Sequence, residues 1–344
     1  MTDKQIGIGV IGFGYWGPNM ARNFRGRSEC RLVAIADHEK ARRTKAALDY
    51  PGTEVVDNAE ALFANPDIDA VIIATPVSSH AGLVEKALKA GKDVLVEKPM
   101  TITSAEAEHL IALAEKEGRI LAVDHTYLFN GAVRKLREMV ESGELGDLIY
   151  LDSVRINLGL FQNDVNVIYD LAPHDLSIAL FLIGSQPTSV RAMGLRYGLA
   201  STESLSYIHV EFENGVVAHF HLSWISPVKL RRMIVAGSKK MAVYDDMEAS
   251  EKIKVFDRGL ETRTADNEQI NQALIDYRIG DMWAPHISTR EALDAEAEHF
   301  LDCVKTRNTP LSNGRFGLTV MRLLEGCQKS LEGKGCLVHL ETDQ

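Results

Sequence analysis

The pattern of hydrophobic and polar positions divides the chain into two parts. In the first 125 residues, short apolar runs alternate with amphipathic stretches. The predicted strands are Ile6–Ile11, Leu32–Ala36, Thr53–Val56, Ala70–Ala74, Val94–Val96 and Ile120–Val123, and the predicted helices are Glu39–Leu48, Ala81–Ala90 and Ser104–Glu117. Apolar strands that alternate with helices of roughly 10–15 residues indicate βαβ units, and therefore a parallel sheet covered on both faces.

After about residue 145 the apolar positions recur with period two. The predicted strands are Leu148–Arg155, Ser189–Arg196, Tyr207–Glu213, Val216–Ser223, Met233–Ala236, Lys240–Tyr244 and Lys252–Phe256. Asn214-Gly215 predicts a hairpin turn, because both residues tolerate positive φ, and Gly237-Ser238 predicts a second one. Strands joined by tight turns are antiparallel. Two helices, Thr289–Lys305 and Gly314–Ser330, complete the pattern.

The fold class that follows is α/β, with two domains. The 344 residues favour about two domains at roughly 150 residues each. Residues 1–125 are predicted to form a doubly wound parallel sheet. Residues 126–344 are predicted to form an α+β domain with a largely antiparallel open sheet.

Composition and charge exclude several classes of protein. The formal net charge of −10 argues against a duplex nucleic-acid binder, which needs a basic face, although a small anionic ligand needs only a few local donors. No run approaches the roughly 18 apolar residues of a membrane helix, and the first residues do not resemble a secretory signal. The scattered cysteines favour reduced thiols in a cytoplasmic protein over a disulfide framework or a zinc site; they are Cys30, Cys303, Cys327 and Cys336.

A dinucleotide-binding fingerprint follows the first predicted strand. The Gly-x-Gly-x-x-Gly pattern consists of Gly12, Phe13, Gly14, Tyr15, Trp16 and Gly17. Gly12 permits the tight turn, Gly14 lets the backbone approach a pyrophosphate, and Gly17 allows close packing of helix on strand. Pro18 suits the first turn of the helix that follows. The pattern therefore predicts a Rossmann domain with phosphates at the helix N-terminus.

Asp37 supplies the acidic residue that this fingerprint requires. It stands 20 residues after Gly17 and ends the second predicted strand. A carboxylate at this position accepts a hydrogen bond from a ribose 2′-hydroxyl and repels a 2′-phosphate. The predicted cofactor is therefore NAD rather than NADP.

Two further motifs follow sheet strands. Ala74, Thr75 and Pro76 precede His80, and Glu97-Lys98-Pro99 follows the fifth strand. Together with the fingerprint they resemble the Gfo/Idh/MocA family of NAD(P)-dependent oxidoreductases, over essentially the whole chain. The resemblance implies that the first motif, Glu97 and Lys98 contribute to the cofactor site. It also implies that the second domain's sheet forms one wall of a sugar site and often an oligomer interface, so a homodimer or homotetramer is expected.

The segment from Asp170 to Asp175 corresponds to the family's Asp-x-x-x-His motif. In place of the glycine run that many members have before this motif, the chain has residues 166–169, Asn-Val-Ile-Tyr. The Gly-Tyr-Trp-Gly-Pro-Asn start and the Asp-Leu-Ala-Pro-His-Asp segment look most like members that oxidise C3 of UDP-N-acetylhexosamines or their uronates. The resemblance thus implies a nucleotide-sugar substrate.

Oxidation of a secondary alcohol requires a hydride acceptor and a general base. Lys98 follows a strand's carboxyl end, where doubly wound sheets bind ligands, and can take the proton or relay it. His174 is the rival base, because it titrates near physiological pH. Asp170, four residues earlier, would position the sugar hydroxyls or Lys98; we expect Pro173 in the first helical turn and Asp170 just outside the helix. The residues leave the choice of base open.

Other polar residues are weaker candidates for the substrate site. Tyr127, Arg155 and Asn157 can reach substrate hydroxyls or phosphates, but interdomain packing or an exposed sheet position fits them equally well. His125 likewise fits the substrate cleft and interdomain packing equally well, and Asp175 fits a helix-end carboxylate. His219 and His221 share a strand face without a third ligand, so no metal site is predicted. The basic segment 229–232 is predicted to be a solvated strand edge.

Two alternatives to a nucleotide-sugar dehydrogenase stay open at this point. One is a dehydrogenase or ketoreductase of free polyols such as an inositol. The other is a dinucleotide-sensing protein without turnover. Lys98, Asp170 and His174 together favour an enzyme, because a sensor does not need groups for proton transfer.

Overall fold

The structure is a computed structural model that describes residues 5–159, 165–198, 201–257, 259–262, 275–278 and 280–341. The chain divides into two units. The first consists of residues up to Phe129 together with Arg290–Arg322, and the second of Asn130–Thr289 together with the residues from Leu323. The division falls four residues later than the predicted boundary, and residues 290–322 belong to the first unit rather than to the second.

The first unit contains a six-stranded parallel sheet in the order β3-β2-β1-β4-β5-β6. Its strands are β1 (Ile6–Ile11), β2 (Cys30–Ala36), β3 (Glu54–Val56), β4 (Ala70–Ile73), β5 (Asp93–Glu97) and β6 (Leu121–Asp124). Its helices are α1 (Gly17–Arg25), α2 (Lys40–Asp49), α3 (Glu60–Ala64), α4 (His80–Lys89), α5 (Ser104–Glu117) and α8 (Ala292–Thr306). The predicted parallel sheet is confirmed, whereas the five-residue α3 is too short to give a recognisable periodicity.

Both faces of this sheet are buried. Val10 and Ile72 pack into one apolar layer, and their chain neighbours Ile11 and Ile73 pack into the layer on the opposite face. Successive strand side chains point to opposite faces, so a sheet covered on both sides has continuously apolar strands. This geometry explains the uninterrupted apolar runs in the sequence.

The second unit contains a nine-stranded sheet in the order β16-β13-β12-β11-β7-β10-β9-β8-β17. Its strands are β7 (Leu148–Leu158), β8 (Pro187–Leu195), β9 (Leu205–Phe212), β10 (Val217–Ser223), β11 (Ile225–Gly237), β12 (Met241–Asp245), β13 (Ile253–Phe256), β16 (Met282–Trp283) and β17 (Val338–His339). The remaining elements are a separate hairpin of β14 (Gly259–Thr262) and β15 (Ile275–Arg278), helices α6 (Gly131–Glu141) and α7 (Val167–Ile183), and α9 (Gly314–Glu332), which runs through both units. The pairing is antiparallel except between β7 and β10, and Gly215 has φ +81° in the predicted hairpin.

Helix α7 carries the Asp-x-x-x-His segment. Its N-cap is Asn166, whose side-chain oxygen accepts hydrogen bonds from the backbone N–H groups of Ile168 and Tyr169. Pro173 is therefore the seventh helical residue instead of a first-turn residue, and Asp170 lies inside the first turn. The expected position of Asp170 outside the helix is wrong, because the asparagine cap starts the helix earlier than the proline suggests.

A buried ion pair fastens α7 to the sheet. The Nη2 of Arg155, on β7, lies 2.6 Å from Oδ1 of Asp175, and Nε lies 3.0 Å from both carboxylate oxygens. The two residues are 5% and 2% exposed. Breaking such a pair leaves an uncompensated buried charge, which costs more than a surface ion pair contributes.

We expect Asp175→Asn to lower the free energy of unfolding by roughly 3–5 kcal/mol, because the Arg155 charge stays buried without its partner. Asp152→Asn, at an exposed contact with His219 on the same strand as Arg155, is the control and should change the free energy of unfolding by no more than about 0.5 kcal/mol. Urea denaturation followed by circular dichroism measures both. Equal effects of the two substitutions would contradict this account of the pair.

Candidate active site

The loop after β1 is held by two glycines that the protein's own packing requires. Gly12 has φ +92°, and a Cβ there would lie 2.5 Å from the carbonyl oxygen of Ala74. A Cβ on Gly17 would lie 2.0 Å from the carbonyl oxygen of Gly12. Both distances are far below van der Waals contact. Glycine at position 12 lets the end of β1 approach the loop after β4, and glycine at position 17 lets the start of α1 approach the end of β1.

Gly14, between them, has a different environment. A Cβ there would meet only the end of the Arg42 side chain, at 3.6 Å from Nη1, which is an ordinary contact. Packing within the protein therefore does not require glycine at this position. The open space in front of its backbone fits the close approach of a pyrophosphate to the helix N-terminus.

Asp37 ties the end of β2 to this loop. Its Oδ2 accepts a hydrogen bond from the backbone N–H of Phe13 at 2.7 Å, and its Oδ1 accepts one from the backbone N–H of Glu39 at 2.8 Å. Arg42 Nη1 lies 3.7 Å from Oδ2. A carboxylate has about four acceptor positions, so these contacts leave capacity for a ribose hydroxyl.

The loop after β4 is connected to the loop after β5 through His80. This histidine is 1% exposed, its Nε2 lies 2.8 Å from the carbonyl oxygen of Thr75, and its Nδ1 lies 3.0 Å from that of Pro99. Burial lowers the pKa of His80. Because both ring nitrogens face main-chain carbonyls, the ring positions the two loops. The direct contact of His80 with the cofactor stays a prediction.

Lys98 lies at the carboxyl end of the parallel sheet, directly after β5. Its backbone N–H donates to Oε2 of Glu97 at 3.0 Å, and Glu97 pairs in register with Asp124 of β6. Asp124 Oδ2 accepts a hydrogen bond of 2.7 Å from the indole Nε1–H of Trp16, in the glycine loop. Asp124 and Glu97, at the carboxyl ends of neighbouring strands, therefore connect the predicted cofactor loop to the predicted catalytic lysine.

Sequence reasoning missed two acidic residues at this edge. Asp124 ends β6 beside Glu97, the last residue of β5, so the pairing of these parallel strands is the signal that could have identified it. Glu296 is on α8, more than 170 residues away from both, and its carboxylate lies 3.0 Å from the hydroxyl of Thr126. No local pattern identifies Glu296.

His125 and Tyr127 occupy different environments after β6. His125 is 2% exposed, its ring packs edge-on against Phe316 at 5.4 Å, and burial lowers its pKa to about 4. This packing lies within the first unit, so it is not the predicted interdomain packing, and a place of His125 in the substrate cleft stays a prediction. Tyr127 is half-buried in a short 3₁₀ turn, and its substrate contact stays a prediction.

In the second unit, Asp170 and His174 lie one turn apart on α7, and both are partly exposed. Asp170 Oδ2 accepts a hydrogen bond of 3.0 Å from the indole of Trp224, which fixes the carboxylate in the first turn. Asn157, near the end of β7, is half-buried. The contact of these three partly exposed side chains with the substrate stays a prediction.

Arg155, by contrast, is buried. Its guanidinium and the Asp175 carboxylate are buried against each other, and the substrate contact of Arg155 stays a prediction. Asp175 is the ninth residue of α7, so its expected position at a helix end is wrong.

The basic segment 229–232 lies in β11, where Leu230 and Arg231 pair in register with β7 and not with β12, and Arg232 pairs with both. Lys229, Leu230 and Arg232 are exposed, which agrees with the predicted solvated strand edge.

The histidines on the second sheet contact side chains of neighbouring strands. His219 Nδ1 lies 3.2 Å from Asp152 and its Nε2 lies 2.9 Å from His209, while His221 stacks on Tyr207 at 4.5 Å between ring centroids. Within the described ranges, no group of three potential metal ligands is found. None of the helices in those ranges has the length and apolar composition needed to cross a membrane.

Comparison with known proteins agrees with this geometry. Residues 6–125 match the family model described as an oxidoreductase family with an NAD-binding Rossmann fold, and residues 133–243 match the GFO/IDH/MocA C-terminal domain. UDP-N-acetylglucosamine 3-dehydrogenase of Acidithiobacillus ferrooxidans is 29% identical over 316 residues, 91% of this chain and 93% of that protein.

A second relative has a different substrate, and a solved structure shares the fold. Inositol 2-dehydrogenase of Corynebacterium glutamicum is 30% identical over 232 residues, 64% of this chain and 67% of that protein. A structure of the Acidithiobacillus ferrooxidans enzyme superposes with a TM-score of 0.82 at 27% identity, covering 96% of this chain and 99% of the other. The chain therefore belongs to the Gfo/Idh/MocA family of NAD-binding Rossmann-fold oxidoreductases.

Proposed function

We propose that this protein is an NAD-dependent dehydrogenase that oxidises the 3-hydroxyl of a UDP-linked N-acetylhexosamine or its uronate. The observation that carries the proposal is the link between the glycine loop and the Glu97-Lys98 strand end through Trp16 and Asp124. It joins a dinucleotide site to a group capable of proton transfer. Similarity to a UDP-N-acetylglucosamine 3-dehydrogenase over nine-tenths of the chain supports the substrate class.

The proposed residues divide the reaction between them. Bound NAD supplies the hydride acceptor. The amides of the glycine loop and the N-terminus of α1 bind its pyrophosphate, and Asp37 accepts a ribose hydroxyl. Lys98 or His174 takes the hydroxyl proton, and Asp170, fixed by Trp224, orients the sugar.

A dehydrogenase of free polyols is the second candidate. The similarity to an inositol 2-dehydrogenase favours it. So does the pairing of Arg155 with Asp175, because this pair removes one of the cations that a sugar diphosphate was expected to use. Arg231 likewise lies 3.6 Å from Asp246.

Self-association stays part of the proposal. Met193 and Tyr207 pair on adjacent strands of the second sheet, and they are 58% and 51% exposed. Large apolar side chains exposed together on one sheet face favour burial against another surface. A homodimer or homotetramer that uses this face fits the expectation from the family resemblance.

The two glycine positions give a matched test of the cofactor site. Gly14→Ala should leave the thermal midpoint within about 2 °C and weaken NAD binding at least tenfold, because its Cβ makes only an ordinary contact with the end of Arg42 and would occupy the space proposed for the pyrophosphate. Gly17→Ala should lower the midpoint itself, because its Cβ collides with the Gly12 carbonyl. Differential scanning fluorimetry and calorimetric titration with NAD measure both quantities. An unchanged affinity for NAD in Gly14→Ala would show that the dinucleotide does not bind at this loop.

Removal of the proposed base separates chemistry from binding. We expect Lys98→Met to lower kcat at least about 100-fold while NAD affinity changes less than threefold, since a general base contributes roughly 10²–10⁴-fold. Lys89→Met, an exposed lysine of the same unit, is the control. Stopped-flow hydride transfer across a range of pH compares Lys98→Met with His174→Asn. Whichever substitution abolishes the pH dependence identifies the base, and full activity in both would exclude the proposed chemistry.

A panel of UDP-sugars and inositols tests the substrate class. The purified protein, with NAD, should form NADH with UDP-N-acetylglucosamine or its uronate, measured by the absorbance of NADH. NADH formed only with inositols would establish the polyol alternative. Binding of NAD without NADH formation from any compound would favour a sensor instead.

A further inference from the structure

Three carboxyl side chains converge in the first unit, and we call Glu97, Asp124 and Glu296 the carboxyl cluster. Asp124 lies at its centre. Its Oδ2 accepts the indole N–H of Trp16 at 2.7 Å, and its Oδ1 accepts the backbone N–H of Thr126 at 3.1 Å and the hydroxyl of the same residue. Glu97 pairs in register with Asp124 on the adjacent strand, and Glu296 Oε2 lies 3.0 Å from the Thr126 hydroxyl that also contacts Asp124.

The cluster cannot hold three negative charges. Asp124 and Glu296 are 3% and 1% exposed, and like charges at hydrogen-bonding distance oppose ionisation. Burial, together with the neighbouring Asp124, raises the pKa of Glu97 and that of Glu296 well above their usual range. Glu296 Oε1 is buried and has no hydrogen-bond partner in the described part of the chain, which suits a neutral acid. Glu97 and Glu296 are therefore favoured in the neutral, protonated form beside Asp124.

The charged and titratable groups around the cluster are few. Lys98 interacts electrostatically with Glu97 from the adjoining position. His125, beside Asp124, has a pKa lowered to about 4 by burial and is therefore neutral near pH 7. Among the groups that the structure places against Glu97, Lys98 is therefore the one that adds a positive charge.

The cluster contacts both halves of the proposed active site. Trp16 belongs to the glycine loop, and Glu97 precedes Lys98 and accepts its backbone N–H. Glu296 comes from α8 and is joined to the same group through Thr126. A change in the cluster therefore moves the loop and the lysine together.

We propose that the carboxyl cluster acts as a positioning device that holds Trp16 and Lys98 in fixed relation by sharing two protons among three carboxyl groups. This role rests on the proposed dehydrogenase function. Below the ordinary carboxyl pKa the shared-proton state is fully formed. As the pH rises through the raised pKa values, Glu97 or Glu296 ionises beside Asp124 and the arrangement is lost.

The indole N–H resonances test the cluster without any substrate. The chain has three tryptophans, and Trp224 donates to Asp170 in the second unit just as Trp16 donates to Asp124. In ¹H–¹⁵N spectra of the whole protein, assigned with Trp16→Phe, we expect Asp124→Asn to shift the Trp16 resonance while the Trp224 resonance stays in place. The Trp224 and Trp283 resonances report that the variant is folded. An unmoved Trp16 resonance would overturn the proposal.

Glu296 provides a second test that does not depend on Asp124→Asn. Glu296→Ala should shift the Trp16 resonance and lower kcat about tenfold. Glu296→Gln, whose amide donates as the protonated acid does, should restore kcat to within about threefold and remove the alkaline titration of the Trp16 resonance. Glu298→Gln, an exposed neighbour on α8, is the control.

The outcomes separate this proposal from the proposed function. If no substrate in the panel is oxidised but the Trp16 resonance responds as expected, the cluster stands and the assigned reaction fails. If the enzyme is active but Glu296→Gln behaves like Glu296→Ala, proton sharing is excluded.

Discussion

The structure of the first unit depends on the close approach of two backbone segments, at Gly12 and Gly17. A Cβ on Gly17 would lie 2.0 Å from the Gly12 carbonyl oxygen, so the helix can begin directly at the strand end only because Gly17 lacks a side chain, while Gly12 supplies the positive φ of the turn. That approach brings the amides at the start of α1 to the edge of the sheet. It also sets the Phe13 N–H against Asp37 and the Trp16 indole against Asp124. The remaining glycine, Gly14, faces open space where a ligand is expected.

Buried carboxylates stabilise both units, but by different means. Asp175 is neutralised by Arg155, an ion pair that fixes α7 and with it the backbone positions of Asp170 and His174. Asp124 instead is surrounded by neutral donors and by two acids whose own charges are suppressed. The position of α7 is therefore sensitive to the loss of either charged partner. The positions of the groups around Asp124 are instead sensitive to pH, because they depend on shared protons.

The acidic composition of the chain and its affinity for an anionic cofactor are compatible. Backbone amides and a helix N-terminus supply positive potential without basic side chains, so a net charge of −10 is compatible with binding of a dinucleotide. Substrate choice is a separate matter. The cations expected to meet a sugar diphosphate are partly engaged within the protein, Arg155 by Asp175 and Arg231 by Asp246. Specificity within the family therefore depends on contacts that differ from the shared cofactor fingerprint.

The sequence by itself determined the parallel and antiparallel sheets, the glycine loop and Asp37, since hydrophobic periodicity and glycine requirements are local properties of the backbone. It also located Lys98, Asp170 and His174, because these lie in short motifs at strand or helix ends. Only the tertiary structure decided that Arg155 pairs with Asp175, that His80 joins two loops, and that Glu296 meets Asp124. Each of these depends on which partner compensates a buried polar group. That partner comes from a distant part of the chain, and no local pattern specifies it.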